Sequence, residues 1–171
     1  MAKTDIQSDL DKVSSTLDIT KDANDGFEKD FNKHRVEYGK AHEQLWECKE
    51  TIEKCQKDLK KASDARKIQE LASEIQENEK KFKKATDTLN DAVNKLNLIG
   101  SGANGTERVI KEQEKALDKI EKDMTRAGGS DKQVKEWDKT IKGLRKLVNA
   151  EATRAFTVAD EVKHLPKPPK L

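Results

Sequence analysis

One stretch, Phe27 to Ala62, constrains this chain more than any other. At alternating steps of four and three it carries Phe27, Phe31, His34, Tyr38, Ala41, Leu45, Cys48, Ile52, Cys55, Leu59 and Ala62. All but His34 are apolar or aromatic, and only Val36 and Trp46 add large apolar side chains elsewhere in the stretch. A stripe that narrow, at a period near 3.5, is the seam of a helix packed lengthwise on a partner helix. At ~1.5 Å per residue the helix would run roughly 54 Å.

Composition points the same way. Only 33% of residues are hydrophobic and 40% are charged. So few apolar side chains make a thin core with much wetted surface. Lys, Glu, Ala and Leu are among the commonest residues, which favours helix over strand. The fold class expected is all-α, an elongated antiparallel helical bundle or coiled coil. One bundle domain is expected over 1–165, with helices at about 4–21, 26–62, 64–99, 106–127 and 131–164.

The breaks follow from local signals. Asn24-Asp25-Gly26 reads as a turn or kink. Gly100-Ser101-Gly102-Ala103-Asn104-Gly105 reads as a loop, and Gly128-Gly129-Ser130 as another. Near Ala62 the stripe slips phase, from four-plus-three to three-plus-three. A hairpin at Lys61-Ala62-Ser63-Asp64, capped by Ser63 or Asp64, explains the slip; a stammer in one continuous helix is the alternative. The last helix carries Val134, Trp137, Ile141, Leu144, Val148, Ala152, Ala155, Ala159 and Val162. After Pro166 the residues 166–171 are expected to form an extended, disordered Pro/Lys tail.

Charge narrows the function classes. The net charge is +2, from 35 basic and 33 acidic residues, so global attraction to nucleic acid is not favoured. Residues 1–30 carry −4 (eight acids, four bases), and residues 131–171 carry +4 (ten bases, six acids). These two parts can attract each other. The first residues lack the apolar core of a leader peptide, and no run reaches the ~18 apolar residues of a membrane span. Cytoplasmic residence is expected, or export without a cleavable signal peptide.

Several motifs have a plain structural reading beside a functional one. Gly100, Gly102 and Gly105 spell G-x-G-x-x-G, but that fingerprint needs a preceding strand and a βαβ unit. Here it reads as a helix–helix loop. Cys48 and Cys55 lie about 10.5 Å apart along one helix, too far to bridge each other, and read as small core residues. His34 reads as a hydrogen-bonded seam residue. Glu161-Val162-Lys163-His164 is only half of a di-iron carboxylate element. No metal or cofactor, and no catalytic residue, is expected.

Three features are candidate partner-binding elements. Trp46 sits beside the seam, and tryptophan is enriched where interfaces concentrate their energy. Lys132, Lys135, Lys139, Lys142 and Lys146 share one outward face of the last helix and could meet phosphates or an acidic protein. Lys163, Pro166 and Pro169 form a basic-flanked P-x-x-P, the pattern of ligands for aromatic grooves. The function expected is a non-enzymatic interaction or scaffold protein that works through helix packing against protein partners, a second copy of the chain among them. Two alternatives stand beside it. One is a soluble subunit or substrate of a secretion or toxin system, whose amphipathic helices would reach a membrane only after rearrangement. The other is a nucleic-acid accessory protein that uses the lysine row.

Overall fold

A computed structural model describes residues 3–171, with side chains from residue 5 onward. It is an all-α helical bundle built from three helices: α1 (Lys3–Lys61), α2 (Ala65–Ala127) and α3 (Asp131–Lys163). Five helices were expected. The difference lies at the two supposed breaks, 22–26 and 100–105, both of which are helical.

The seam explains why. In α1 the four–three spacing runs without a fault from Ile6 through Leu10, Val13, Leu17, Thr20, Asn24 and Phe27 into Phe31. Thr20 and Asn24 occupy seam positions and are buried, although both are polar. In α2 the same spacing passes from Leu96 through Ile99, Ala103, Thr106 and Ile110 to Leu117. A glycine inside a helix costs only about 1 kcal/mol relative to alanine. Burying one Leu or Ile side chain gives about 1.5–3 kcal/mol. The seam therefore outweighs the glycines, and the helix runs on.

Gly102 also has a positive role. A Cβ there would lie 2.6 Å from the ring of Phe27, so the ring rests where a side chain would otherwise stand. Gly100 is similarly close to Val162, whose Cγ1 would be 3.2 Å from an added Cβ. Low helix propensity at these positions is offset by close packing of rings and branched chains on bare backbone.

The two real turns are short. Ala62–Asp64 separates α1 from α2, as the phase slip implies. Asp64 caps α2 by accepting a hydrogen bond from the Arg66 amide at 3.1 Å. Between α2 and α3, Gly128 takes the left-handed conformation that ends a helix (φ 63°). Ser130 Oγ then accepts from the Gln133 amide at 3.3 Å.

Chain packing divides into two compact units rather than one: Met1–Asp30 with Ile99–Lys163, and Phe31–Leu98 with His164–Leu171. The first unit holds segments of all three helices. Its core is a single cluster that includes Leu10, Leu17, Ile110, Leu117, Trp137 and Ile141. Contacts between α1 and α3 pair residue 24 with 151 and 28 with 154, so these helices run parallel. Residue 118 of α2 pairs with 145 of α3, and Gly100 with Val162, so those two run antiparallel.

The second unit is a helical hairpin. The α1 seam residues from Phe31 to Cys55 are buried apart from the half-buried His34. They face an α2 seam that includes Leu71, Ala85, Leu89 and Leu96. Residues 164–171, of which 166–171 are the stretch expected as an extended Pro/Lys tail, lie on this hairpin: Tyr38 and His42 of α1 bond to the backbone of Pro166 and Lys167. An extended segment with no helical hydrogen bonds still has carbonyls to satisfy, and α1 supplies donors for them.

Candidate interaction sites

The most concentrated polar chemistry lies inside the first unit. Asn24 and Glu151 both stand on seam positions and are buried to 2% and 5% relative exposure. Asn24 Nδ2 donates to the Glu151 carboxylate at 2.8 Å and to the Glu151 carbonyl at 3.0 Å. Arg154, one turn further along α3, donates through Nη1 to both oxygens of that carboxylate, at 2.9 Å to the Oε2 shared with Asn24 and at 3.1 Å to Oε1. Its guanidinium also grips Glu28 through two nitrogens, at 2.7 and 3.0 Å, and bonds Asp25. Hydrogen bonds to Glu28 and then Asp25 push the Arg154 pKa further up, which keeps the cation charged.

Sequence reasoning missed Glu151. The seam read from the spacing ends on Ala152, Ala155, Ala159 and Val162, whereas Glu151, Ala155, Val158 and Ala159 are the buried residues there. The signal was present, because three residues after Val148 the seam falls on Glu151. The opposed charges of residues 1–30 and 131–171 do meet, through Arg154 with Asp25 and Glu28.

Trp46 lies in the second unit, at 43% exposure, off the seam. It ends a row of rings along α1. Tyr38 and His42 stack with centroids 6.0 Å apart, and His42 meets Trp46 edge-on at 6.5 Å. The Lys49 ammonium sits 5.5 Å from the Trp46 centroid. The proline segment lies along this row. Tyr38 donates its hydroxyl to the Pro166 carbonyl, and His42 Nε2 bonds the Lys167 carbonyl at 3.0 Å. Burial raises the Tyr38 pKa, so the hydroxyl keeps its proton and remains a donor. Two elements read separately from the sequence, Trp46 and the Pro166/Pro169 motif, thus fall on one hairpin. Further along, Lys170 and Leu171 line an open groove of about 190 Å³ with Lys49, Ile52, Glu53, Gln56 and Glu79.

The lysine row is placed as its spacing implies. Lys132, Lys135, Lys139, Lys142 and Lys146 are all exposed on α3. Arg145, beside Lys146 in the chain, does not extend the row: it bridges Asp118 at 2.8 Å and Glu121 at 3.1 Å. Lys163 is likewise exposed, at the last turn of α3.

The remaining candidates resolve simply. Cys48 and Cys55 are free, buried on the α1 seam, and their thiol pKa values are raised, in both cases chiefly by burial. Both sulfurs are therefore kept as poorly nucleophilic thiols. His34 is half-buried and bonds Glu37 at 3.0 Å. Among the described residues no group of three or more His, Cys, Asp or Glu is disposed to hold a metal ion, and no helix is long and apolar enough to cross a membrane.

The fold therefore defines the class: an all-α helical bundle with heptad-spaced seams and a polar node in one of them. Comparison with protein-family models, with curated proteins and with solved structures finds no match to this chain.

Proposed function

We propose that this is a non-enzymatic helical interaction protein that receives a helix of a protein partner along its α1–α2 hairpin. The observation that carries this reading is a gradient along one seam line of α2. At steps of seven, Leu89, Leu96, Ala103, Ile110, Leu117 and Met124 are all buried. The same line continued toward the hairpin turn gives Phe82 and Ile75, both half-buried, and then Ile68 at 39% exposure. In the first unit α3 covers this seam. At the hairpin end only two helices share it, and an apolar line at heptad spacing is the natural seat of a third amphipathic helix.

The test is co-purification from native cells with wild-type chain and with an Ile68→Asp/Ile75→Asp variant. Loss of a specific partner in the variant, with helicity unchanged by circular dichroism, supports the reading. A partner set indifferent to the two charges overturns it. A second reading, contact of the lysine row with an anionic surface, rests on the exposure of all five lysines. Charge reversal at Lys135 and Lys142 should then weaken binding and flatten its salt dependence.

A further inference from the structure

The segment His164–Leu171 is held on the hairpin in an unusual way. Two hydrogen bonds to α1 use its backbone carbonyls, those of Pro166 and Lys167. Prolines lack an N–H, so an extended proline-rich strand offers outward carbonyls and asks for donors. Tyr38 Oη and His42 Nε2 are such donors, set one helical turn apart on stacked rings. Pro166, Lys167, Pro168 and Lys170 remain exposed, so the resident segment commits little of its side-chain surface. Trp46, the next ring in the row, is still 43% exposed with the segment in place. The groove beyond is lined by two carboxylates, Glu53 and Glu79, beside Lys170.

We propose that the Tyr38–His42–Trp46 row is a docking track for an extended, proline-containing, lysine-bearing segment of a partner protein, and that residues 164–171 are its resident and displaceable occupant. This goes beyond helix packing at the hairpin end: it uses a different secondary structure in the ligand and different donors. The chemistry of the ligand is read from the occupant. Carbonyls at two successive residues meet the Tyr38 and His42 donors, prolines hold the strand extended before it binds, and a basic side chain shares a groove with Glu79 and with Glu53, which pairs with Lys49 at 3.9 Å. A tether keeps the resident at an effective concentration of order millimolar, so a competitor must bind the track more extensively, and the exposed part of Trp46 supplies the extra contact.

The experiment uses the full chain with a nitroxide attached through Leu171→Cys, under conditions that leave the buried Cys48 and Cys55 unlabelled. A synthetic nonapeptide with the sequence of residues 163–171 is titrated in, to concentrations of order 10 mM because it competes with a tethered copy. Trp46 is followed by its indole N–H resonance, assigned with Trp46→Phe. The expected result is a saturable shift of the Trp46 signal together with mobilisation of the label. A peptide with alanine at the proline positions should compete about tenfold more weakly, because it loses more freedom on binding. Tyr38→Phe keeps the ring in the seam and should by itself mobilise the label. Three results would overturn the proposal: no Trp46 shift, a Trp46 shift with the label still held, or a label indifferent to Tyr38→Phe. Mobilisation that instead depends on protein concentration would assign the track to a second copy of the chain and overturn the partner-peptide reading.

Discussion

Gly102 and Gly105 stand three residues apart in α2 and should answer alanine substitution with opposite signs. Around Gly105 nothing lies within 4 Å of an added Cβ, so Gly105→Ala should stabilise by about 0.5–1 kcal/mol through helix propensity alone. At Gly102 the added Cβ would sit 2.6 Å from the Phe27 ring. The ring must move, and Gly102→Ala should cost about 1–2 kcal/mol after the propensity gain is subtracted. Urea midpoints of the two variants decide the point; equal shifts would mean the ring relocates freely. Arg154 offers a second contrast at this scale. Arg154→Ala leaves the buried Glu151 carboxylate with Asn24 but without its cation, and should cost about 2–3 kcal/mol, below a fully buried pair because the arginine is partly solvated. Lysine should recover only part of that, since one ammonium cannot hold Glu28, Asp25 and Glu151 at once.

Among the elements, α1 shows how one grid tolerates several chemistries. Its seam positions are filled by leucine and valine, then threonine and asparagine, then rings, then thiols. Within that seam the half-buried His34 bonds Glu37 across one turn, and this hydrogen bond, working against desolvation, holds the Glu37 carboxyl below its ordinary 4.5. A depressed carboxyl stabilises the folded state at pH above the ordinary value, and the contribution disappears as pH falls through the depressed one. His34→Ala should return the Glu37 titration, followed by carbon NMR, to the ordinary range. An unchanged Glu37 would assign the shift to the lysines nearby. The element scale is also where local signals misled. Asn24-Asp25-Gly26 and the glycines of 100–105 carry turn chemistry, yet helix persists through both. Counting the seam onward from Leu17 to Thr20 and Asn24, or from Ile99 to Ala103 and Thr106, would have shown that the spacing never lapses. At Ala62 the spacing does lapse, and there the helix ends.

For the molecule as a whole, local stability should follow the cover over each seam. Ile110, Leu117, Ile120 and Met124 of α2 and Ile141, Leu144 and Val148 of α3 lie in a cluster where three helices close on each other. Around residues 56–75 few side chains are buried, and Ile68 is open to solvent. Amide hydrogen exchange should be fastest at the hairpin end and slowest in that cluster, with differences of several kcal/mol in opening free energy. Uniform protection along α2 would contradict it. The all-helical class, the heptad seams, the hairpin near Ala62 and the exposed lysine row were all legible in the order of residues, because spacing along a helix is set by covalent geometry alone. What the chain order could not disclose is which distant groups would meet. The rest of Gly102 against Phe27, the grip of Arg154 on Asp25 and Glu28, and the seat of Pro166 on Tyr38 each join residues far apart in sequence. Their meeting depends on the register in which the helices settle, and register is a property of the packed molecule.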